Sequence, residues 1–204
     1  MHVRGRGVVG VLTVVLLALV VTSCGRSGYQ YIENEETGVY AKIPEEWSVI
    51  SEGLIDFALV GEDGQMAILP GEGTYPWRAY FDAAPGAEAN GFDRVLGAVE
   101  VQPVDRRLRS SLNLETLVGF DPNAPTEEYN VLYRSDVERN GLNGMRLIYE
   151  TELSGIESTV DRLMLTDDRF TTVYEVRIFC DTVCFADNAN VIEEIMDTFT
   201  VEVQ

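Results

Sequence analysis

Residues 129–153 decide the fold class, and they read YNVLYRSDVERNGLNGMRLIYETEL. Apolar and polar side chains alternate along both halves of this stretch, with Val131 and Tyr133 two positions apart in the first half and Leu147 and Tyr149 in the second. Side chains two residues apart in a strand lie on the same face of a sheet. The alternation therefore predicts two strands, each with one buried and one solvent-exposed face, as in antiparallel sheets.

Turn residues join these two strands, and a second pair of strands follows them. The Asn-Gly pairs at 140–141 and 143–144 favour the positive φ angles that tight hairpin turns require. A second hairpin is predicted from residues 158–165 and 171–180, with its turn at Asp167-Asp168. The second half of the chain thus predicts a series of antiparallel strands.

Shorter segments with the same period predict further strands. In the first half they lie at residues 39–43, 54–60, 66–69, 77–82 and 99–101. The second and third of these segments are separated by a Gly-containing turn, which predicts a hairpin. Val201 and Val203 predict a short edge strand near the C-terminal end.

Two segments have helical periodicity instead. Residues 107–118 place leucines near one face, and residues 186–198 show apolar residues at i, i+3, i+4 and i+7. The apolar residues of this second stripe are Ile192, Ile195, Met196 and Phe199. Asp187 or Asn188 is expected to cap the second helix by accepting a hydrogen bond from a free amide. Strands and helices together predict an α+β fold, an antiparallel β-sheet covered by helices.

The N-terminal residues 1–23 have the layout of a secretory signal peptide. Arg4 and Arg6 precede an apolar run at residues 8–21. A helix of that length reaches about 21 Å at about 1.5 Å per residue, well short of the roughly 30 Å hydrocarbon core of a bilayer. Secretion is therefore predicted, and a membrane-spanning anchor is not.

The end of this leader is more specific than a generic cleavage site. Val21-Thr22-Ser23-Cys24 resembles the bacterial lipobox, in which the cysteine receives diacylglycerol through a thioether. Anchoring by two acyl chains is stable where one chain is marginal. We therefore expect a lipid on Cys24, a short tether at residues 24–37, one globular domain at 38–204, and an extracytoplasmic protein anchored to the cell membrane. The alternative is an ordinary signal peptide that happens to be followed by cysteine.

The two other cysteines, Cys180 and Cys184, are an even number in an oxidising compartment, which predicts a disulfide. A separation of four residues in a turn can satisfy the roughly 4.4–6.8 Å between Cα atoms that a disulfide needs. Free thiols are one alternative, and redox or metal chemistry is another. The CxxxC spacing is neither the redox CxxC motif nor a metal knuckle.

Charge and residue usage exclude several classes of function. The chain has 34 acidic and 15 basic residues and a net charge of −19, so phosphate backbones repel it and no nucleic acid partner is expected. Its one histidine, His2, lies in the predicted signal peptide, which removes His-based catalytic sets and His-containing zinc sites. We therefore predict no catalytic residues, no metal and no cofactor.

One basic cluster is a candidate contact. Arg106, Arg107 and Arg109 follow an apolar strand and could hold an anionic headgroup or a partner carboxylate. The ordinary interpretation is that they neutralise part of an acidic surface. Four aromatic residues could line an apolar pocket, although Trp47 is more typical of a core: they are Trp47, Trp77, Tyr80 and Phe81.

Paired carboxylates leave one catalytic class open. Glycoside hydrolysis needs two carboxylates roughly 5 to 9.5 Å apart, and acidic loops can also take calcium. Adjacent acids are more typical of solvated faces and turns. The adjacent pairs are Glu45-Glu46, Glu127-Glu128, Asp167-Asp168 and Glu193-Glu194.

Several segments taken in order resemble a known fold family. These segments are GVYAKIPEEW (38–47), WRAYFDA (77–83), GAVEVQPV (97–104), NGMRLIYETE (143–152), TTVYEVRIFC (171–180) and DTFTV (197–201). They are similar to the PsbP-like fold, and more closely to the PsbP-like lipoproteins of high-GC Gram-positive bacteria, the LpqN-like group. The resemblance implies an α/β/α sandwich around an antiparallel sheet, in proteins that mostly act as binding or accessory subunits.

These observations lead to one expected function and two alternatives. We expect a non-enzymatic module that binds an envelope lipid or protein at the outer face of the cytoplasmic membrane. One alternative is a carboxylate-dependent envelope hydrolase, which requires two acids facing each other in a cleft with one pKa raised by burial. The other is an accessory subunit that only docks on a membrane complex.

Overall fold

The computed structural model describes residues 28–53, 57–60, 66–69, 77–84, 92–104, 106–117, 129–153 and 155–202. Several features predicted from the sequence lie outside the described residues: the signal peptide, the lipobox with Cys24, residues 54–56, Glu127-Glu128 and Val203.

The described residues form antiparallel sheets with short helices. The strands, numbered in chain order, are β1 (Tyr29–Asn34), β2 (Val39–Pro44), β3 (Ser48–Gly53), β4 (Phe57–Val60), β5 (Met66–Leu69), β6 (Trp77–Asp82), β7 (Leu96–Pro103), β8 (Asn130–Arg139), β9 (Leu142–Leu153), β10 (Ile156–Thr166), β11 (Thr172–Asp181) and β12 (Thr200–Val201). The helices are α1 (Leu114–Leu117), α2 (Thr182–Asp187) and α3 (Ala189–Thr198), and a 3₁₀ turn spans Arg109–Ser111.

Seven strands form the main sheet, in the order β3-β6-β7-β11-β10-β9-β8, and each neighbouring pair is antiparallel. A three-stranded sheet has the order β1-β2-β12, and β4 pairs with β5. The predicted α+β fold is confirmed. Over the described ranges, the helices are all too short or too polar to cross a membrane.

Both hairpins predicted in the second half of the chain are present. β8 and β9 reverse at Asn140-Gly141, whose φ angles are 51° and 79°. Asn143-Gly144, also expected at the reversal, lies inside β9. β10 and β11 reverse through residues 167–171. The alternating pattern therefore predicts the strands well and the turn to within a few residues.

Strand β1 lies in the segment assigned to the tether, so that assignment is wrong for residues 29–34. β1 pairs with β2 along its whole length, from Tyr29 opposite Pro44 to Asn34 opposite Val39. Ile32 is its one fully buried residue. Because the strand lacks alternating apolar residues, its sequence carries no period-two signal.

The continuous helix predicted at residues 107–118 is wrong for residues 107–113, and residues 114–117 are helical as predicted. The chain forms the 3₁₀ turn and then the single-turn helix α1. Leu108, which was expected on the apolar face, is exposed. Asn113 Oδ1 accepts a hydrogen bond from the Thr116 amide at 2.8 Å, and Thr116 Oγ1 accepts one from the Asn113 amide at 3.0 Å. This reciprocal capping starts a new helix at α1, so the earlier turn does not continue into it.

The helix predicted at residues 186–198 is present but divided at Asn188. The Asn188 side-chain amide donates to the Cys184 carbonyl at 2.8 Å, so it completes the end of α2 and makes no cap hydrogen bond to α3. α2 begins before the predicted helix because Asp181 Oδ1 accepts from the Cys184 amide at 2.7 Å. The expected capping by Asp187 or Asn188 is therefore wrong.

The main core lies between one face of the seven-stranded sheet and a layer made of α2, α3 and the three-stranded sheet. We call this side of the sheet the core face; it carries Val99, Leu163, Val176 and Ile178. Burial of each such side chain contributes about 1.5–3 kcal/mol. Trp47 stacks on Phe81 in this core with ring centroids 5.9 Å apart.

Candidate functional site

The opposite side of the sheet, which we call the charged face, carries an unusual group of ionised side chains at its centre. They come from four neighbouring strands and form what we call the Arg–Glu cluster: Arg78 of β6, Glu100 of β7, Arg162 of β10, and Glu175 and Arg177 of β11. The strand register brings these residues together from distant parts of the chain.

The register places like charges directly opposite each other in two adjacent rows. Glu100 is opposite Glu175, and Arg162 is opposite Arg177. Like charges in such positions are destabilising by themselves. The two rows lie two residues apart on the same face, so each glutamate also has arginine neighbours. The cluster is therefore stabilised by ion pairs within and between the rows.

The ion pairs differ in closeness. Arg162 donates to Glu175 through Nε at 2.6 Å and through Nη2 at 3.2 Å. Arg78 Nε lies 2.8 Å from Glu100 Oε1. Arg177 is held more loosely, with Nη2 3.4 Å from Glu100 Oε1 and Nε 3.9 Å from Glu175 Oε1. Arg177 is thus the cluster member with the longest contacts.

The members of the cluster differ in how far solvent reaches their side chains. The glutamate side chains are 5% and 8% exposed, and that of Arg78 is fully buried. Arg162 and Arg177 are 18% and 29% exposed. The part of the cluster that solvent or a ligand reaches therefore belongs mainly to the side chains of Arg162 and Arg177.

The two carboxylates have pKa values shifted in opposite directions. Burial and repulsion by Glu175 raise the pKa of Glu100, against the attraction of Arg177 and Arg78. Burial alone would raise the pKa of Glu175, but attraction by Arg162 and Arg177 outweighs it and lowers that pKa. Glu175 is thus kept ionised by its arginine neighbours.

A tyrosine borders the cluster on the same face. Tyr149 lies opposite Val160, two residues along β10 from Arg162. Burial raises the pKa of the Tyr149 phenol, although Arg162 and Arg177 act in the opposite direction. Its ring meets that of Tyr129 edge-on, with centroids 5.8 Å apart. Tyr149 therefore keeps its proton and can donate a hydrogen bond at the edge of the cluster.

The arginines singled out from the sequence lie elsewhere. Arg106 and Arg107 are exposed in the turn after β7. Arg109 donates to the Val104 carbonyl through Nε at 3.1 Å and Nη2 at 2.9 Å, which fastens the 3₁₀ turn to the end of β7. Contact of these three residues with an anion stays a prediction, and they do not form part of the Arg–Glu cluster.

Glu193 and Glu194 lie on a solvated face, as expected, with side chains 55% and 38% exposed, and both also have structural partners. Glu193 accepts two hydrogen bonds from Arg146, at 2.8 and 2.5 Å. Glu194 accepts from Lys42 at 2.7 Å and from the Tyr29 hydroxyl at 2.7 Å. The Arg146–Glu193 pair holds α3 against the main sheet, and the Lys42–Glu194 pair holds it against the three-stranded sheet.

The Asp167-Asp168 pair lies beside a cleft of about 370 Å³ at the end of the sheet. Asp167 accepts hydrogen bonds from the amides of Arg169 and Thr171, and Asp168 accepts one from Asn143 at 2.8 Å. Burial alone would raise the pKa of Asp167. The hydrogen bonds that Asp167 accepts from the two amides and from the Thr171 hydroxyl outweigh burial and lower that pKa. Both acids thus hold the turn together.

Cys180 ends the buried row of β11 and Cys184 lies in α2, with their Cα atoms 5.9 Å apart and their sulfur atoms at disulfide distance. The geometry allows the predicted disulfide. Within the described ranges, no group of three or more His, Cys, Asp or Glu side chains is placed to hold a metal ion.

Most of the aromatic residues considered for a pocket belong to the core instead. Trp47, Trp77 and Phe81 are buried in the main core. Tyr80 points to the charged face, where the Arg78 guanidinium lies 5.5 Å from its ring centroid. The sequence does not single out the members of the Arg–Glu cluster, because their strands show the ordinary alternation of apolar and polar residues. A signal was present in GAVEVQPV and VYEVRIF, where charged residues sit between apolar neighbours.

Comparisons with known proteins identify the fold class. No protein-family model matches the chain, and no curated protein is similar to it in sequence. Solved structures are nevertheless similar to it, at sequence identities that show the fold alone. The chain has the PsbP-like fold.

Three of these structures illustrate the likeness. Cyanobacterial PsbP (CyanoP) from Synechocystis has a TM-score of 0.53 and 12% identity, over 90% of this chain and 99% of its own. LpqN of Mycobacterium tuberculosis, involved in cell envelope biogenesis, has a TM-score of 0.50 and 12% identity, over 86% of this chain and 91% of its own. The Ran-binding protein Mog1p of Saccharomyces cerevisiae has a TM-score of 0.44 and 11% identity, over 85% of this chain and 95% of its own.

Proposed function

We propose that this chain is a lipid-anchored protein of the cell envelope that binds a ligand on the charged face of its sheet and does not transform it. The observation that carries this proposal is the Arg–Glu cluster. Its carboxylates are buried against guanidinium groups, so they are poorly placed to exchange protons with a substrate. Its partly exposed arginines are well placed to hold a ligand.

The anchor is proposed from the sequence around Cys24. The sheet begins at Tyr29, so the chain between these two residues reaches at most about 18 Å at roughly 3.6 Å per residue. A lipid on Cys24 would therefore hold the folded domain close to the outer face of the cytoplasmic membrane. The PsbP-like fold, which the envelope protein LpqN shares, agrees with membership of the PsbP-like lipoproteins.

The anchor is tested with the full chain in a bacterial host that processes lipoproteins. Wild type should fractionate with membranes, incorporate an alkyne analogue of palmitate, and yield an N-terminal peptide that begins with diacylglyceryl-cysteine. Cys24→Ala should lose the label and leave the membrane fraction. Ser23→Ala is the matched control, because it keeps a small residue before the cysteine and should behave as wild type. Membrane retention of Cys24→Ala without lipid would contradict the anchor.

One observation favours a second candidate, the carboxylate-dependent hydrolase. Glu100 and Glu175 are directly opposite, with one pKa raised and the other lowered, as in acid–base pairs. We favour binding because the same carboxylates are buried and paired with arginine. An assay of chromogenic glycoside turnover by wild type and by Glu100→Gln distinguishes the binding function from the hydrolase. We expect no turnover by either protein, whereas turnover that Glu100→Gln abolishes would establish the hydrolase.

A further inference from the structure

We propose that Arg162, Arg177 and the hydroxyl of Tyr149 form a binding site for a singly charged oxyanion, and specifically for a phosphodiester. This inference rests on the proposed binding function and names its ligand class. Lipid headgroups and soluble phosphodiesters share this chemistry, and the experiment below distinguishes these two sources.

The charge of the cluster points to an anion. Three arginines and two glutamates leave one positive charge in excess, in a chain whose overall net charge is −19. The excess charge is displayed outward, because the glutamates are buried and the side chains of Arg162 and Arg177 are partly exposed. A monoanion would neutralise it, and a phosphodiester is a monoanion at neutral pH.

Arg177 has hydrogen-bonding capacity left for a ligand. A guanidinium carries five N–H donors in a planar fork. In the described part of the chain, the cluster engages Arg177 only through Nη2 and Nε, at 3.4 and 3.9 Å. Charge-assisted hydrogen bonds are normally about 2.7–2.9 Å long. The present contacts of Arg177 are therefore weak, and an anion can compete with them.

The arrangement of donors suits phosphate oxygens. Arg162 and Arg177 are opposite each other on adjacent strands, and the Nε atoms of both approach the same carboxylate oxygen, Glu175 Oε1, at 2.6 and 3.9 Å, so the two guanidinium groups are neighbours. The planar fork of arginine matches two oxygens of a phosphate. Tyr149, two residues along the neighbouring strand, adds a neutral donor. Phosphate oxygens can thus be bound from more than one direction.

The surface beside these donors is apolar. Phe179 follows Arg177 by two residues on the same face of β11, and its ring lies 5.9 Å from that of Phe92. The two rings offer contact area to the organic groups on either side of a phosphodiester. Inorganic phosphate lacks such groups, so a diester gains more from this surface.

Calorimetry on the lipidated full chain in a neutral detergent tests the site with defined probes. The probes are glycerophosphoglycerol, which is a headgroup diester without acyl chains, and dihexanoyl phosphatidylglycerol below its micelle concentration. Glycerol is the uncharged control. We expect saturable binding of one or both phosphodiesters and none of glycerol. Binding of glycerophosphoglycerol would show that a soluble phosphodiester is sufficient for binding. Binding of dihexanoyl phosphatidylglycerol without binding of glycerophosphoglycerol would show that the ligand is a lipid.

Three variants at the site and one control locate the binding. Arg177→Gln removes the excess charge and should weaken binding about tenfold or more, since hydrogen bonds to charged groups are among the stronger ones. Arg177→Lys keeps the charge without the fork and should fall in between. Tyr149→Phe should weaken binding severalfold by removing one donor. Arg134→Gln is the matched control, because Arg134 lies in the same cross-strand row but is paired with Glu115, and it should bind as wild type.

Two results would overturn the proposal: absence of binding of both diesters by wild type, and equal affinity of wild type, Arg177→Gln and Tyr149→Phe. Circular dichroism of each variant establishes that it is folded. If neither diester binds, the membrane anchor at Cys24 and the absence of turnover are still tested by the separate experiments described above. The ligand class and the proposed function can therefore fail separately.

Discussion

Arg146 fastens helix α3 to the sheet, and its replacement by alanine should destabilise the fold strongly. Its guanidinium donates to Asp161 at 3.0 and 2.7 Å and to Glu193 at 2.8 and 2.5 Å. The Asp161 side chain is 0% exposed, so alanine would leave a carboxylate buried without its partner. Breaking a buried pair in this way costs about 3–5 kcal/mol. The Glu193 side chain is 55% exposed, and its share of the loss is small because water screens it.

The cost is measured by urea denaturation of the full chain in neutral detergent, followed by tryptophan fluorescence. Arg134→Ala is the matched control. It breaks an ion pair with Glu115 whose side chains are 34% and 39% exposed, and such pairs contribute about 0–1 kcal/mol. An Arg146→Ala cost as small as that of the control would show that the Asp161 carboxylate does not depend on its partner.

A double variant separates the buried charge from the docking of α3. Arg146→Met with Asp161→Leu replaces the buried pair with apolar side chains, which is often neutral or stabilising. We expect it to recover most of the stability lost in Arg146→Ala. If it is as unstable as the single variant, the loss comes from the missing contact with Glu193, and the argument from the buried carboxylate is wrong.

Three further changes have definite expected outcomes. Glu175 has a folded-state pKa below the ordinary value of 4.5, because its arginine neighbours outweigh burial. Its stabilisation is therefore present above about pH 4.5 and lost as the pH falls through the folded-state pKa. Glu175→Gln should flatten the decline of Tm below about pH 4.5, and an unchanged slope contradicts this. A disulfide across so small a loop contributes about 2 kcal/mol, so dithiothreitol should lower the Tm of wild type and leave a Cys180→Ala, Cys184→Ala variant unchanged. Identical melting of wild type with and without reductant would indicate free thiols. A Cβ at Gly97 would overlap the Phe81 ring, so Gly97→Ala should cost about 1–3 kcal/mol in urea denaturation, and a cost near zero would show that the ring can move.

The sequence predicts strands where one face is apolar and the other is not. β8 and β11 come closest to this condition, whereas β9 and β10 bury side chains on both faces, at residues 145–147 and 163–165. The hairpins are visible from the local pattern and the turn residues together. β1 does not satisfy the condition, because Ile32 is its one fully buried residue, and its pairing with β2 supplies the stability that its own pattern lacks. Near residue 113, apolar spacing suggests one helix, but the reciprocal capping of Asn113 and Thr116 starts a separate one.

The candidate site is less predictable for a physical reason. The residues of the Arg–Glu cluster lie as far apart in sequence as Arg78 and Arg177, and only the strand register brings them onto one face. Local pattern marks such side chains as solvent-facing, which is the usual outcome for charge in an antiparallel strand. By contrast, Arg106, Arg107 and Arg109 are adjacent in sequence and therefore conspicuous. In the structure Arg109 serves to fasten a turn.

One measurement on both sets of arginines tests most directly whether the charged face binds the ligand. Nuclear magnetic resonance of the arginine Nε–H groups, recorded on the full chain in neutral detergent during titration with glycerophosphoglycerol and then dihexanoyl phosphatidylglycerol, reports which guanidinium groups meet the ligand. We predict saturable shifts of the Arg162 and Arg177 signals and a stationary Arg134 signal. Shifts confined to Arg106, Arg107 and Arg109, or no shifts with either probe, would contradict it.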